Sequence, residues 1–131
     1  MKRVLIADDK ATSRELIRAA LETSGYSIYE ASDGVEALQR AREFTPDLII
    51  LDLHMPGLDG FGVVAELRRD EQFAGLPVMA LTASAMQGDR DRALSAGFDS
   101  YVTKPIPLAT LRKEVERLLS GEARTAPPAG R

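Results

Sequence analysis

Five short apolar runs, separated by longer amphipathic stretches, constrain the fold of this 131-residue chain more than any other feature. The runs at residues 48–51 and 78–81 are unbroken, which is typical of strands covered by helices on both faces. Shorter or more alternating runs lie at residues 4–7, 26–31 and 100–102. Alternation of strands and helices at this length predicts one α/β domain, in the order βαβαβαβαβα, with a parallel sheet between two helical layers.

Apolar residues at helical spacing mark the segments between the runs. In residues 12–24, Leu16 pairs with Ala20 and Ile17 with Leu21, and Gly25 follows as a stop signal. Similar patterns predict helices in the other segments. Their signals are Asp33 with Glu36 and then Thr45-Pro46 for the second helix, Phe61, Val64 and Leu67 for the third, Gly97 after residues 85–96 for the fourth, and Pro107, Leu108, Leu111, Val115, Leu118, Leu119 and Gly121 for the fifth.

Composition excludes several classes of function. A net charge of -3 argues against non-specific nucleic-acid binding, and the absence of cysteine excludes disulfides and thiolate chemistry. No apolar run is long enough for a membrane span or a signal peptide, so we expect a cytoplasmic protein. Residues 1–120 are predicted to form the domain, and the Ala-, Pro- and Gly-rich residues 121–131 a disordered tail.

Chemically active side chains follow the predicted strands. Asp8 and Asp9 come after the first strand, Asp52 after the third, Thr82 after the fourth and Lys104 shortly after the fifth. Right-handed crossovers place the carboxyl ends of all parallel strands at one edge of the sheet, where α/β folds bind ligands. We therefore expect three carboxylates, a hydroxyl and an ammonium to converge, although they are far apart in sequence.

This set of groups predicts a site for phosphoryl transfer. Adjacent carboxylates repel one another unless a cation lies between them, and an oxygen-only ligand set suits Mg²⁺ or Mn²⁺. Lys104 and Thr82 can meet phosphoryl oxygens, and Asp52 is the expected nucleophile. Each residue alone also fits a helix cap, a loop position or a surface lysine, and only their combination favours the phosphoryl site.

The residues that follow the strands also resemble a known family. The segments are residues 4–9 (VLIADD), 47–60 (DLIILDLHMPGLDG), 77–83 (PVMALTA) and 96–105 (AGFDSYVTKP). Together they resemble the receiver domain of two-component response regulators over residues 2 to 120. The resemblance implies a flavodoxin-like doubly wound fold with five parallel strands in the order 2-1-3-4-5.

The resemblance also implies a role for individual residues. Asp52 would be the phosphoacceptor, and Asp8, Asp9, Asp52 and the backbone carbonyl of His54 would bind Mg²⁺. The His54 side chain, from the single histidine in the chain, is open to two interpretations: it tunes water access to the site, or it is an exposed loop residue. Lys104 would contact the phosphoryl group.

The remaining roles implied by the resemblance concern switching. Thr82 would move toward the phosphoryl group while Tyr101 turns inward, and the Lys104-Pro105 peptide bond is a candidate for the cis form. The domain would be a signalling switch and not an enzyme, beyond catalysing its own phosphorylation and dephosphorylation. Its donor would be a histidine kinase or histidine phosphotransfer protein, and its output would pass to a protein effector or along a phosphorelay.

Four hypotheses remain open from the sequence. The favoured one is a single-domain receiver, monomeric or dimeric on activation, without direct contact to nucleic acid or membrane. The second is a receiver cut from a hybrid kinase, which the Met1 start disfavours. The third is an aspartyl-phosphate phosphatase, although His54 occupies the place of the second Asp which that chemistry needs. The fourth is a flavodoxin-like cofactor binder, in which Asp8 and Asp9 would repel a phosphate.

Overall fold

A computed structural model describes residues 1–83 and 88–121 of the chain and contains a five-stranded parallel sheet. The strands are β1 (Arg3–Ala7), β2 (Ser27–Ala31), β3 (Leu48–Asp52), β4 (Val78–Thr82) and β5 (Ser100–Thr103). They lie in the order β2-β1-β3-β4-β5, and neighbouring strands pair in parallel. The predicted fold class and strand order are confirmed.

The helices cover both faces of this sheet. They are α1 (Ala11–Glu22), α2 (Gly34–Phe44), α3 (Gly60–Arg69), α4 (Asp89–Ala96) and α5 (Leu108–Leu119), with a short 3-10 helix at Glu71–Phe73 that the sequence analysis did not predict. Buried residues of α1 and α5 pack in one core cluster, and those of α2, α3 and α4 in another. Within the described residues, none of the helices has the length and apolarity needed to cross a membrane.

Alternation along the central strand β3 explains why its first four residues are all apolar. All residues of β3 are buried; Leu48 and Ile50 belong to the core cluster shared with α1 and α5, whereas Ile49 and Leu51 belong to the opposite one. Successive side chains of a strand point to opposite faces, so a strand with helices on both sides has no polar face. This burial fixes the position of Asp52 at the end of the strand.

Local sequence signals define the ends of several helices. The Asp33 side chain caps α2 by accepting a hydrogen bond from the backbone N–H of Glu36. The Glu36 carboxylate accepts a second bond from the backbone N–H of Ser32, the residue before the cap. Asp59 caps α3 by accepting from the backbone N–H of Gly62. Gly97 ends α4 at φ +117°, a conformation that glycine adopts without steric cost.

Two predictions for α1 were wrong, and two other predicted segments fall partly on residues that the structure does not describe. Leu16 was assigned to the buried stripe of α1 but is 54% exposed, and the buried positions are Ile17, Ala20 and Leu21. The helix ends at Glu22, before the predicted stop. Residues 85–87 of the fourth predicted helix, and residues 122–131 of the predicted tail, lie outside the described residues.

Candidate functional site

The candidate site residues lie at the carboxyl ends of β1, β3, β4 and β5, at one edge of the sheet. Asp52 and Thr82 are the last residues of β3 and β4, Asp8 follows β1 directly, and Lys104 follows β5 directly. The backbone N–H of Lys104 donates to the carbonyl of Thr82 at 2.8 Å, which extends the pairing of β4 and β5 to the site. The backbone N–H of Asp8 likewise donates to the carbonyl of Ala31 at 3.1 Å.

The three carboxylates form one cluster. Asp8, Asp9 and Asp52 each offer an oxygen, and these oxygens all lie within 4.8 Å of one another. Asp8 is fully buried and Asp52 is 5% exposed, whereas Asp9 is exposed. An oxygen-only set with two buried carboxylates and an open side fits Mg²⁺, which retains several waters and uses one or two carboxylates. The donor chemistry of the cluster therefore suits a hard divalent cation.

The Lys104 side chain brings a positive charge next to the three carboxylates. Its ammonium lies 2.8 Å from Asp8 Oδ2 and 3.6 Å from Asp52 Oδ2, and its side chain is only 18% exposed. The ammonium therefore binds the two buried carboxylates together, with the shorter contact to Asp8. A charge in this position offsets part of the carboxylate repulsion and lies within reach of a group attached to Asp52.

Backbone N–H groups orient both buried carboxylates. The N–H of Lys10 donates to Asp8 Oδ1 at 2.9 Å, and the N–H of His54 donates to Asp52 Oδ1 at 3.1 Å. The second bond holds the main chain of His54 against the site. The His54 side chain is exposed, so the structure leaves both interpretations of its ring open.

Burial is the main influence on the Asp52 carboxylate. Desolvation raises the pKa of Asp52 above its ordinary value, and the charge of Asp8 raises it further. The hydrogen bond from the His54 N–H and the charge of Lys104 act in the opposite direction, without reversing the shift. Asp52 is therefore a carboxylate whose charge is poorly stabilised by its surroundings, which is the condition that a bound cation relieves.

Thr82 is the last residue of β4, which pairs with the strand that carries Asp52, and Tyr101 lies on the next strand, β5. Thr82 is fully buried and pairs with Thr103, and Tyr101 precedes that position by two residues on the same strand. The Tyr101 hydroxyl is buried and finds no hydrogen-bond partner among residues 1–83 and 88–121. Burial raises its pKa, and the charge of Asp89 adds to this effect. The Lys104-Pro105 peptide bond in the next loop is cis.

Two residues that matter to the geometry were not assigned to the site from the sequence. A Cβ on Gly60 would lie 2.6 Å from the carbonyl oxygen of Asp52 and 2.9 Å from Leu53 Cα, so glycine is required there by a close backbone approach and not by a turn. Arg14, on α1, donates to the carbonyl oxygen of Asp8 at 2.6 Å. Neither contact has a signature in local sequence, because each joins residues whose proximity depends on the folded backbone.

Comparisons with known proteins give a consistent result. The family model described as response regulator receiver domain matches residues 4–116. The polar-differentiation response regulator DivK of Brucella ovis is 37% identical over 118 residues, which cover 90% of this chain and 96% of DivK. The DNA-binding dual master transcriptional regulator RpaA of Synechocystis sp. is 40% identical over 119 residues, which cover 91% of this chain but only 49% of RpaA.

Solved structures agree with the sequence matches. The chemotaxis protein CheY4 of Vibrio cholerae superimposes with a TM-score of 0.85 at 31% identity, covering 90% of this chain and 98% of CheY4. The signal receiver domain of a signal transduction histidine kinase from Syntrophus aciditrophicus gives a TM-score of 0.85 at 35% identity and covers 95% of each chain. Similar domains therefore occur in proteins of different overall organisation.

Proposed function

Since the chain belongs to the response regulator receiver domain family of two-component signalling, we propose that it is a switch in which Asp52 accepts the phosphoryl group. The observation that carries this proposal is the position of Asp52 at the carboxyl end of β3. There it lies within 4.8 Å of two further carboxylates and 3.6 Å from the Lys104 ammonium. We propose that residues 1–120 form the receiver unit.

The proposed reaction is a phosphoryl transfer between a phosphohistidine and Asp52. A carboxylate oxygen of Asp52 forms the new P–O bond while the P–N bond of the donor breaks, and the leaving imidazole takes up a proton from solvent. Hydrolysis later returns the free carboxylate and releases inorganic phosphate. In this scheme the domain catalyses only its own phosphorylation and dephosphorylation, and Lys104 shifts from Asp8 to meet the added phosphoryl oxygens.

Receiver domains bind Mg²⁺ in their acidic pocket, and we propose that Asp8, Asp9, Asp52 and the backbone carbonyl of His54 do so here. When bound, the ion supplies positive charge against the oxygens of the phosphoryl group. The buried Asp8 and Asp52 oxygens provide the fixed part of the site, and the exposed Asp9 the part next to solvent. Mn²⁺, which accepts the same ligands, is a proposed substitute.

We propose that Thr82 and Tyr101 relay the change at Asp52 to the surface. Phosphorylation adds negative charge and acceptor oxygens next to the buried Thr82 hydroxyl. Movement of Thr82 toward those oxygens would leave space that Tyr101 occupies, remodelling the face made by α4, β5 and α5. A partner shifts the equilibrium only if it prefers the remodelled face.

The proposed partners follow from the reaction. A histidine kinase or a histidine phosphotransfer protein supplies the phosphoryl group, and a protein effector or the next member of a phosphorelay receives the signal. No direct contact with nucleic acid or membrane enters this proposal. We propose that the domain acts in the cytoplasm, either as a monomer or as a dimer formed on activation.

Intact-protein mass spectrometry after incubation with acetyl phosphate tests the central step. We expect a gain of one phosphoryl group that requires Mg²⁺, is removed by hydroxylamine and is absent from Asp52→Asn. The control is Glu15→Gln, which neutralises an exposed carboxylate on α1 and should be labelled like the unsubstituted protein. Persistent labelling of Asp52→Asn would refute the assignment of the phosphoacceptor, and labelling without Mg²⁺ would refute the role of the cation.

A further inference from the structure

The loop that carries Asp8 and Asp9 is held from outside the acidic cluster by a side chain of α1. Arg14 Nη1 donates to the carbonyl oxygen of Asp8 at 2.6 Å. Its Nε donates to Glu30 Oε1 at 2.9 Å, and its side chain is only 16% exposed. One guanidinium thus bridges the end of β1 and the neighbouring strand β2.

Glu30 is itself fixed in place. Arg18 Nη1 donates to Glu30 Oε2 at 2.6 Å, while Arg14 occupies the other carboxylate oxygen. Burial acts to raise the pKa of Glu30, but its hydrogen bonds to the two arginines hold that pKa below the ordinary value. Glu30 is therefore an ionised, doubly bonded anchor for Arg14.

The backbone of Asp8 is constrained on both sides. Its N–H is bonded to Ala31 on β2, and its C=O to Arg14. With the peptide groups on either side of its Cα held, the direction in which the Asp8 side chain leaves the main chain is also fixed. The position of Asp9 follows, because the carbonyl bonded to Arg14 belongs to the peptide group that joins Asp8 to Asp9.

We propose that Arg14 is a positioning residue for the cation site: its bridge between the Asp8 carbonyl and Glu30 holds the acidic pair in the geometry that binds Mg²⁺. This inference rests on the proposed function of the acidic cluster and concerns a residue that does not itself contact the cation. Partners beyond the direct ligands commonly determine metal affinity in this way, by fixing the orientation of the ligands.

A purely electrostatic role of Arg14 and a positioning role predict opposite changes in Mg²⁺ affinity when Arg14 is replaced. Removing a positive charge near a cation site reduces repulsion and should tighten Mg²⁺ binding. Loss of positioning should weaken it instead. The direction of the change in Mg²⁺ affinity of Arg14→Met therefore separates a positioning role from a simple charge effect.

The experiment is an NMR titration of the full chain with MgCl₂, followed through the backbone amide signals. We expect Arg14→Met to bind Mg²⁺ about tenfold more weakly than the unsubstituted protein. The matched control is Arg18→Met, which removes the other arginine of α1 that is bonded to Glu30 but leaves the bond from Arg14 to the Asp8 carbonyl in place. The Mg²⁺ affinity of this variant should stay within about twofold of the unsubstituted protein, since Arg18 does not contact Asp8.

Two further measurements keep the inference testable. Should Arg14→Met not fold, Arg14→Lys retains the charge but cannot span the Asp8 carbonyl and Glu30 together, and it should also weaken binding. Acetyl phosphate labelling of the Arg14 variant should fall at low Mg²⁺ and recover at saturating Mg²⁺, because the reacting groups are intact.

The outcomes separate this inference from the proposed function. Unchanged or tighter Mg²⁺ binding in the Arg14 variants, equal weakening in Arg18→Met, or labelling that saturating Mg²⁺ does not restore would each overturn the positioning role alone. Absence of Mg²⁺ binding by the unsubstituted protein would overturn the proposed cation site as well.

Discussion

Replacing Asp52 with Asn should stabilise the protein in the absence of divalent cations. The substitution keeps the shape of the side chain and an oxygen that can accept the hydrogen bond from the His54 N–H, now 3.1 Å from Asp52 Oδ1. It removes a negative charge from a side chain that is 5% exposed. The acidic cluster would then contain two carboxylates and one ammonium in place of three and one.

The magnitude follows from the competing charge interactions. Asp8 lies within 4.8 Å of Asp52, and that repulsion is about 3.5 kcal/mol at an effective dielectric constant of about 20. Asp9 is exposed and adds about 1 kcal/mol, because water screens it. The lost attraction to Lys104 at 3.6 Å is about 4.6 kcal/mol on the same basis. These contributions nearly cancel, so the relief of burying an amide in place of a charge decides the sign, and we expect a stabilisation of about 2 kcal/mol.

The pH dependence of this difference has a defined sign. Burial raises the pKa of Asp52 in the folded protein above its value of about 3.9 in unfolded chains. The folded state therefore binds more protons than the unfolded state between these two pKa values, and the carboxylate destabilises the fold fully only above the folded pKa. The advantage of Asp52→Asn should be largest near pH 7 and should shrink as pH falls through the raised pKa.

Urea denaturation followed by circular dichroism measures the effect. Both proteins are unfolded in EDTA at pH 7 and again at about pH 4.5, with Glu15→Gln as the exposed-carboxylate control, for which a change below about 0.5 kcal/mol is expected. Repeating the comparison with Mg²⁺ should reduce the advantage, because the ion stabilises the protein with the complete ligand set more strongly. An Asp52→Asn variant that is less stable than the unsubstituted protein in EDTA at pH 7 would refute this reasoning.

Three further substitutions test other contacts. Arg68→Met should lower the free energy of unfolding in urea by about 3 kcal/mol, because the guanidinium donates hydrogen bonds to the carbonyl of Gly97 and to Asp99. The control is Arg69→Met, at a side chain that is 70% exposed, which should lower it by less than about 0.5 kcal/mol. Equal losses in the two variants would contradict the prediction. Gly60→Ala should lower the free energy of unfolding by about 1–3 kcal/mol and slow labelling by acetyl phosphate, since the added Cβ would clash with the Asp52 carbonyl oxygen. Unchanged stability and labelling would contradict this prediction. Tyr101→Phe should leave the free energy of unfolding in urea unchanged or higher, since the buried hydroxyl has no hydrogen-bond partner among residues 1–83 and 88–121. A loss of more than about 1 kcal/mol would contradict this prediction.

Much of the fold could be predicted from the sequence because its signals are local. The apolar runs that became β3 and β4 are unbroken since each of their residues is covered by one of two helical layers. The start of α2 at the Asp33 cap and the end of α4 at Gly97 could be predicted from a few neighbouring residues. Leu16 was misassigned because Ala20, four residues later, does face the core, and helical spacing alone does not show that the buried stripe begins at Ile17.

The sequence by itself determined which residues converge, whereas only the tertiary structure decided how they are arranged. Parallel strands share one carboxyl edge, so residues that follow the strands must meet there. Burial of Asp8 but not Asp9, the shorter contact of Lys104 to Asp8 than to Asp52, and the bridge made by Arg14 all depend on separations between distant segments. Such distances are set by packing of the helices on the sheet, which no local pattern records, and they govern how strongly the cluster attracts a cation.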